Sequence, residues 1–479
     1  MATTSEITTR ARRGAKRLSR KLRVQSAPLS KPPHSSAESG PSHPSLESLQ
    51  HLTSKCPRCS LCKFPPLLTV RSKAHSSICP SYDEYGFHSH SGSGRVIVAN
   101  AVLEGRVGLD EATREVIFQC TMCGGCDMSC KFSTDIEISE TMFALRAESH
   151  RRNGPLDAHA RVLENLEHHG HPFDAEMGSK GDWLSSEPAV RVGMSQRLVL
   201  VGSAYALRTE RRATLRNLVR LLGAAGVDFS VLGEGEPDTA TMALHIGALD
   251  LFDRLARDLV TTLQRGGVQE IVCADPEDFA TLRGHYPKVV QHDMRVRHAV
   301  EVLDEALAKG SLKPRHVVRK RVTYHDPCSL GRRSEEFQPW EGEVHKIMGQ
   351  LLVTDPPKPV NRGTEGVYDA PRRILAAVPG VELVEMDRTR EYAYCCGGSG
   401  GVPQAFPEFA ANTAAERLDE AGATGAELVV SACPGCEHNL SAAAGGRRIE
   451  VTGIYDVLAR SVLGPGKTVE LAAGARKER

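Results

Sequence analysis

From Arg197 onward, short apolar runs alternate with longer stretches in which apolar residues recur at helical spacing. Leu198-Val-Leu-Val-Gly202 reads as a buried strand, Thr209–Gly223 as a helix and Val227–Leu232 as another strand. A long helix around Leu251–Gln264 leads into a strand at Glu270–Cys273. The rhythm then returns: strand Arg321–His325, helix Arg372–Val378, strand Val381–Met386, helix Glu408–Ala421 and strand Glu427–Ser431. Strand–helix–strand alternation of this kind predicts α/β architecture.

The two passages also look like a repeat. Gly226-Val-Asp-Phe aligns without gaps with Gly380-Val-Glu-Leu, and Val272-Cys-Ala-Asp-Pro276 aligns with Val430-Ser-Ala-Cys-Pro434. Where the second copy carries cysteines at its strand ends, the first holds Ser203 or Ala204, Thr241 and Met242, and Asp275 and Asp278. The first copy keeps the scaffold without the thiols.

Before Arg197 the pattern is helical. Arg95–Glu104, closed by Gly105, and Leu109–Gln119, with Asp110 in its first turn, read as helices. Ser139–His150 and Leu156–His168 read as two more, the last inside a linker over residues 156–195. Residues 1–50 hold almost no large apolar side chains, and Arg10–Arg23 is dense in Lys and Arg. The plain reading is a disordered basic tail; the alternatives are an organelle presequence or an arm for nucleic acid or a membrane surface.

A chain of 479 residues allows two or three domains. Its net charge of +1 gives no global field that would make nucleic acid the main partner. No apolar run reaches the ~20 residues that span a bilayer. No apolar-centred secretory signal stands at the N-terminus. The expectation is a soluble, cytoplasmic protein in a reducing compartment, since its 14 cysteines fall in metal-ligand spacings rather than following a secretory signal.

All of those cysteines but Cys273 fall into groups. Cys120-x-x-Cys123-x-x-Cys126-x-x-x-Cys130 has the spacing that wraps an iron–sulfur cube, with the fourth cysteine leaving for a neighbouring cluster. The neighbour is Cys56-x-x-Cys59-x-x-Cys62, followed by Cys79-Pro80. Crossover assigns Cys56, Cys59, Cys62 and Cys130 to one [4Fe-4S] cluster and Cys79, Cys120, Cys123 and Cys126 to a second. Two helices between two cysteine loops make a helical ferredoxin layout. Structural zinc is the competing reading, but a tetrahedral site uses pairs and has no need of triplets. Two departures concern the fourth ligands: Cys79 stands far downstream of Cys62, and Lys131, not proline, follows Cys130. Cys273, beside an aligned ligand position, reads as a buried structural thiol.

The C-terminal third carries His325-Asp-Pro-Cys328, Cys395-Cys-Gly-Gly-Ser-Gly-Gly401 and Cys433-Pro-Gly-Cys436. The glycines free the chain around the adjacent pair and expose N–H groups toward a negative cluster. The loop lacks the Lys-Ser/Thr ending of a phosphate-binding loop. His325, at a strand end, is a candidate for a hydrogen bond or a proton to such a cluster, the hydrogen-bonding role being favoured.

With His325-Asp-Pro-Cys-Ser-Leu-Gly-Arg332, Glu391-Tyr-Ala-Tyr-Cys-Cys-Gly-Gly-Ser-Gly-Gly401 and Ser431-Ala-Cys-Pro-Gly-Cys436, the chain resembles the CCG cysteine-rich domain of heterodisulfide reductase. Together with the ferredoxin part, residues 51–465 are similar to the fused catalytic subunit of that enzyme and to the iron–sulfur subunit of glycolate oxidase. The resemblance implies a cluster held by Cys328, Cys395, Cys396, Cys433 and Cys436, which in some members is a non-cubane form. It departs from the pattern in the thiol-free first copy and in an insertion at roughly 335–364, where Trp340 is either a docking anchor or packs the insertion down.

The expectation is therefore an α+β chain. A helical 2[4Fe-4S] ferredoxin-like domain at 51–155 precedes a pseudo-duplicated α/β CCG-type region, with a degenerate half at 196–310 and a cysteine-rich half at 320–465, and a tail at 466–479. Functionally it reads as an iron–sulfur oxidoreductase subunit passing electrons through two [4Fe-4S] clusters to a CCG-domain cluster. Its partner would be a flavoprotein, another redox subunit or a membrane cytochrome. The alternatives are direct reduction of a disulfide substrate and a zinc-stabilised scaffold.

Overall fold

Short strands alternate with helices along most of the chain, and where each strand ends decides where the cysteines lie. The computed structural model describes residues 43–464 apart from Phe132, Ser133, Asp135, Pro339, Glu341, 348–350 and Lys358. The basic segment before residue 43 and the tail after 464 lie outside the described residues. The chain divides into two compact units. Within the described residues, one takes 338–360 and the other takes 43–337 and 361–464.

In the larger unit, the N-terminal part is helical. The helix Gly92–Leu103 begins earlier than the apolar pattern predicts, because Ser91 caps it by accepting the Gly94 N–H. Asp110 is the cap of Glu111–Phe118 rather than a first-turn residue, its carboxylate accepting the Thr113 N–H at 2.9 Å. The helices Ile138–Asn153 and Asp157–His169 follow. Val96, Ala99, Val102, Ile117, Phe118, Met142 and Leu145 share one apolar core.

Beyond it lie two parallel sheets. The first takes β1 (Arg197–Leu200), β2 (Glu270–Cys273) and β3 (Arg295–His298) in that order. The second takes β4 (Lys320–Tyr324), β7 (Val381–Leu383), β8 (Leu428–Ser431) and β9 (Glu450–Gly453) in the order β7-β4-β8-β9. Parallel neighbours need crossovers, which the helices provide. Leu198, Val272, Val322, Val430 and Tyr455 belong to one continuous core, so the two sheets are buried together.

The expected strand Val227–Leu232 is reduced to two bridges, Leu198↔Ser230 and Val192↔Val231. Its partners, Val192 and Leu198, lie six residues apart in the chain and pair with adjacent residues, so no continuous ladder forms. The expected strand Val381–Met386 stops at Leu383.

The smaller unit is a hairpin of β5 (Glu343–Ile347) and β6 (Leu351–Asp355), paired antiparallel. The Trp340 indole N–H donates to the Pro356 carbonyl at 3.0 Å, so this side chain closes its own insertion.

Candidate metal centres

The two N-terminal cysteine loops share a backbone signature. Arg58 and Ser60 have φ of 59° and 66°, and Met122 and Gly124 have 53° and 73°. In both loops the left-handed residues are the second and fourth after the first cysteine. Such conformations are costly for residues with a Cβ and persist where the surroundings impose them. In the first loop Cys62 is buried and Cys59 exposed; in the second Cys123 is buried, and Cys120 and Cys126 are half-buried.

Cys56, Cys59, Cys62 and Cys130 line a single pocket with Ser93, Val96, Thr134, Ile136 and Ile138. The crossover expected from spacing thus brings those four thiols together. The Ser93 N–H, in the first turn of Gly92–Leu103, donates to the Cys62 sulfur at 3.2 Å. Burial raises the pKa of Cys56 and lifts that of Cys130 to about 11. Buried thiols without a compensating cation stay protonated unless a metal replaces the proton.

The second set is deeper. Burial pushes Cys79 up to about 12, and the thiols of Cys120 and Cys123 add to the rise. Cys126 is raised by burial and by the neighbouring charges of Asp127, Cys120, Cys123 and Cys79. The buried Arg95 braces this set, donating to Ser81 Oγ at 2.7 Å and to the Val116 and Gln119 carbonyls. At Gly92 a Cβ would stand 2.8 Å from that of Cys126, so only glycine admits the loop there.

A tetrahedral zinc with Zn–S bonds of about 2.3 Å would draw its sulfurs to within about 3.8 Å of each other. Among the described residues, no three of these eight thiols come within 4.8 Å of one another. Their wider spacing fits a polynuclear group better than one ion.

At the C-terminal site, His325 and Cys328 follow β4 and Cys433 follows β8, outside the carboxyl ends of neighbouring strands. The five thiols form a connected row. The Cys395 thiol lies close enough to those of Cys328 and Cys396 to lower the pKa of both. Cys396 lies 3.2 Å from Cys436, which in turn contacts Cys433. Backbone N–H groups point at the sulfurs: Gly397 to Cys395 at 3.3 Å, Gly398 to Cys396 at 3.4 Å and Cys436 to Cys433 at 3.4 Å. A buried, thiol-rich set with amide donors fits an anionic iron–sulfur group.

His325 belongs to this site: it offers a ring nitrogen within 4.8 Å of the Cys396 and Cys436 sulfurs. Arg417 Nε donates to His325 Nδ1 at 3.1 Å, and Arg417 pairs with the buried Glu420, which also pairs with Arg388. Arginine only donates, so Nδ1 accepts and the neutral ring carries its proton on Nε2. Contacts with Cys395, Cys436 and His325 hold the Cys396 thiol well below its ordinary range.

One arrangement was not legible from the motifs. The Cys123 thiol, assigned to the second N-terminal set, is held well below its ordinary range, chiefly by the neighbouring Cys395 thiol of the C-terminal set. The two cysteine systems therefore meet. Arg146, fully buried, stitches the same boundary by donating to the Cys120 carbonyl at 2.7 Å and the Gly400 carbonyl at 2.8 Å. His159 Nε2 bonds the Gly401 carbonyl at 2.9 Å. Arg332 donates to the Cys123 carbonyl at 2.7 Å and to those of Glu391 and Ala393. The signal for Arg332 was its place four residues after Cys328, inside the motif.

The first sheet presents hydroxyls and carboxylates at the aligned positions. Ser203 donates to Asp238 and Thr239 to Asp278, each at 2.5 Å, and Thr241 bonds Thr281 at 2.7 Å. Cys273 is fully buried and lies among Asp278, Asp275 and Glu236, as a structural thiol would.

Residues 53–134 match the family described as a 4Fe-4S dicluster domain, and residues 360–441 match the cysteine-rich domain CCG. The probable iron-sulfur-binding oxidoreductase FadF of Bacillus subtilis is 28% identical over 370 residues, covering 74% of this chain and 48% of that protein. A subunit of the dihydromethanophenazine:CoB--CoM heterodisulfide reductase of Methanosarcina mazei is 28% identical over 336 residues, covering 69% of this chain and 73% of that subunit. The EtfAB:quinone oxidoreductase of Syntrophomonas wolfei is 26% identical over 344 residues, covering 68% and 43%. The chain spans about half the length of FadF. It thus matches both a 4Fe-4S dicluster and a cysteine-rich domain and resembles iron–sulfur oxidoreductases over most of its length.

Proposed function

We propose that this chain, which joins a 4Fe-4S dicluster domain to a CCG cysteine-rich domain, is the electron-transfer subunit of an oxidoreductase. The observation that carries the reading is that Arg146 and Arg332 each bond both cysteine systems, Arg146 the Cys120 and Gly400 carbonyls and Arg332 the Cys123 and Ala393 carbonyls, which puts the two systems side by side. Two [4Fe-4S] clusters would be held by Cys56, Cys59, Cys62 and Cys130 and by Cys79, Cys120, Cys123 and Cys126. A third would be held by Cys328, Cys395, Cys396, Cys433 and Cys436, whose five thiols outnumber the corners of one cubane. When bound, these groups supply one-electron carriage. The protein's part is to exclude water, aim N–H donors at the sulfurs and fix His325 through Arg417, so that its Nε2–H donates to Cys396.

The electrons enter or leave through a partner: a flavoprotein, another redox subunit or a membrane cytochrome. The relatives named as a reductase subunit and as an EtfAB:quinone oxidoreductase support this. Among the described residues no helix is long and apolar enough to cross a membrane. All 14 cysteines are free thiols, which suits the cytoplasm.

We also read the two sheets as copies of one unit, at 196–310 and 320–465, after the ferredoxin-like domain at 51–155. The segment at Ser230 flanks β1 as β7 flanks β4, so the strand orders correspond. Gly226 and Gly380 are both left-handed, at φ +73° and +86°. Asp275 and Cys433 each cap a helix that opens with proline. Direct disulfide reduction using two such sites is disfavoured, because the first copy offers Ser203, Thr241, Asp275 and Asp278 in place of thiols.

Anaerobic purification with iron, sulfide and zinc assays and low-temperature EPR tests the proposal. It expects about twelve irons per chain, from three clusters. Stoichiometric zinc with little iron would overturn it.

A further inference from the structure

Arg332 is buried at 3% exposure, and three of its contacts are accounted for by the carbonyls of Cys123, Glu391 and Ala393. Its remaining nitrogen, Nη2, is buried and has no hydrogen-bond partner among the protein atoms. An orphan N–H on a buried guanidinium is costly, and few native structures leave one. The carbonyls it holds belong to Cys123, a thiol of the second N-terminal set, and to Ala393, two residues before Cys395, so the guanidinium sits where the two cysteine systems approach. The next residue is different: Arg333 spends Nη1 on Ser329 Oγ at 3.3 Å and Nη2 on His245 Nε2 at 2.7 Å.

We infer that Arg332 is a cofactor-contacting residue: its free Nη2–H donates to the sulfur-rich anion held between Cys123, Cys328 and Cys395. The inference rests on the electron-transfer reading above and adds a role to one side chain. A fixed positive charge there stabilises the reduced, more negative state of both groups it touches. The set built on Cys56 has no such neighbour among Arg332's contacts. Arg332 therefore raises the potentials of the second N-terminal site and the C-terminal site relative to the first, which draws electrons from the Cys56 set toward the two sites it flanks.

The test is an EPR-monitored redox titration of the iron-loaded full chain, with signals assigned by Cys59→Ser and Cys396→Ser. Arg332→Gln is expected to move the signals of the two flanking sites to more negative potential and leave that of the Cys56 set in place. Arg332→Lys, which keeps the charge but not the fork, is expected to move them less. Wild-type potentials in both variants, or an equal shift of all three signals, would overturn the inference. If Arg332→Gln fails to fold or load iron, wild-type protein labelled with guanidino-15N arginine decides by pulsed EPR. A 15N coupling on the C-terminal signal that survives Arg333→Lys and vanishes in Arg332→Lys supports it, and no coupling in wild type overturns it. Failure of the electron-transfer reading looks different: the wild-type chain would then hold no iron to titrate.

Discussion

Cys396 stands in the middle of the C-terminal row of thiols, in contact with Cys395, Cys436 and His325. Replacing its sulfur interrupts the row. Cys396→Ser is expected to lower the iron content by about a third, one cluster of three, with one EPR signal lost. Cys273→Ala is the control: its thiol is 0% exposed, and the charges that raise its pKa are carboxylates rather than other thiols. It should keep full iron and cost about 1 kcal/mol in urea unfolding. At this scale the sequence was informative about which thiols group together, because ligand spacing is local. It marked Arg332 only by its place in the motif and was silent on how Arg332 and Arg146 join the two cysteine systems, because those contacts join residues more than two hundred positions apart.

Helix and strand ends carry the next level of stability. His298 ends β3 and caps the helix Ala299–Ala308, with Nδ1 accepting the Val300 N–H and Nε2 bonding the Ala274 carbonyl. Burial lowers its pKa from 6.5 to about 3. Between those values the unfolded chain binds the proton and the folded one does not. The contribution of His298 is therefore whole above pH 6.5 and is lost as the pH falls toward 3. Asp275, lifted by burial to about 7, acts in the opposite sense, losing stability as the pH rises. His298→Gln should thus flatten the acid side of the urea midpoint against pH, with a wild-type loss on the order of a few kcal/mol. A second device is Glu420, in the helix Pro407–Ala423, which pairs with the buried Arg388 and Arg417. Glu420→Ala leaves the buried Arg417 without a carboxylate and Arg388 with Glu416 alone, and should cost about 3–5 kcal/mol in urea unfolding. The strands β1, β2, β4 and β8 were legible because their apolar runs are buried. The edge strands β3 and β9, Arg-Val-Arg-His and Glu-Val-Thr-Gly, were not, since half or more of each is polar.

Across the whole molecule, the helical cysteine domain and the second sheet meet backbone to backbone. Gly400 is left-handed at φ +74°, and a Cβ there would lie 2.7–2.8 Å from the backbone of Cys120 and Thr121. Gly400→Ala combines strain with a clash that neither backbone can relieve cheaply. It should cost at least ~2–3 kcal/mol in urea unfolding and reduce iron at the second N-terminal and C-terminal sites together. By the same reasoning, a chain cut near the exposed Met194 should stay in one piece on native gel filtration, held by Arg146 and this seam.

The closeness at Gly400 also bears on heredity. A loop that tolerates no added atom against its neighbour ties the histories of the two coding segments together. A change of backbone course in one is viable only beside a matching change in the other, so a segment borrowed from a distant lineage would bring its cysteines but not the fit that makes them useful.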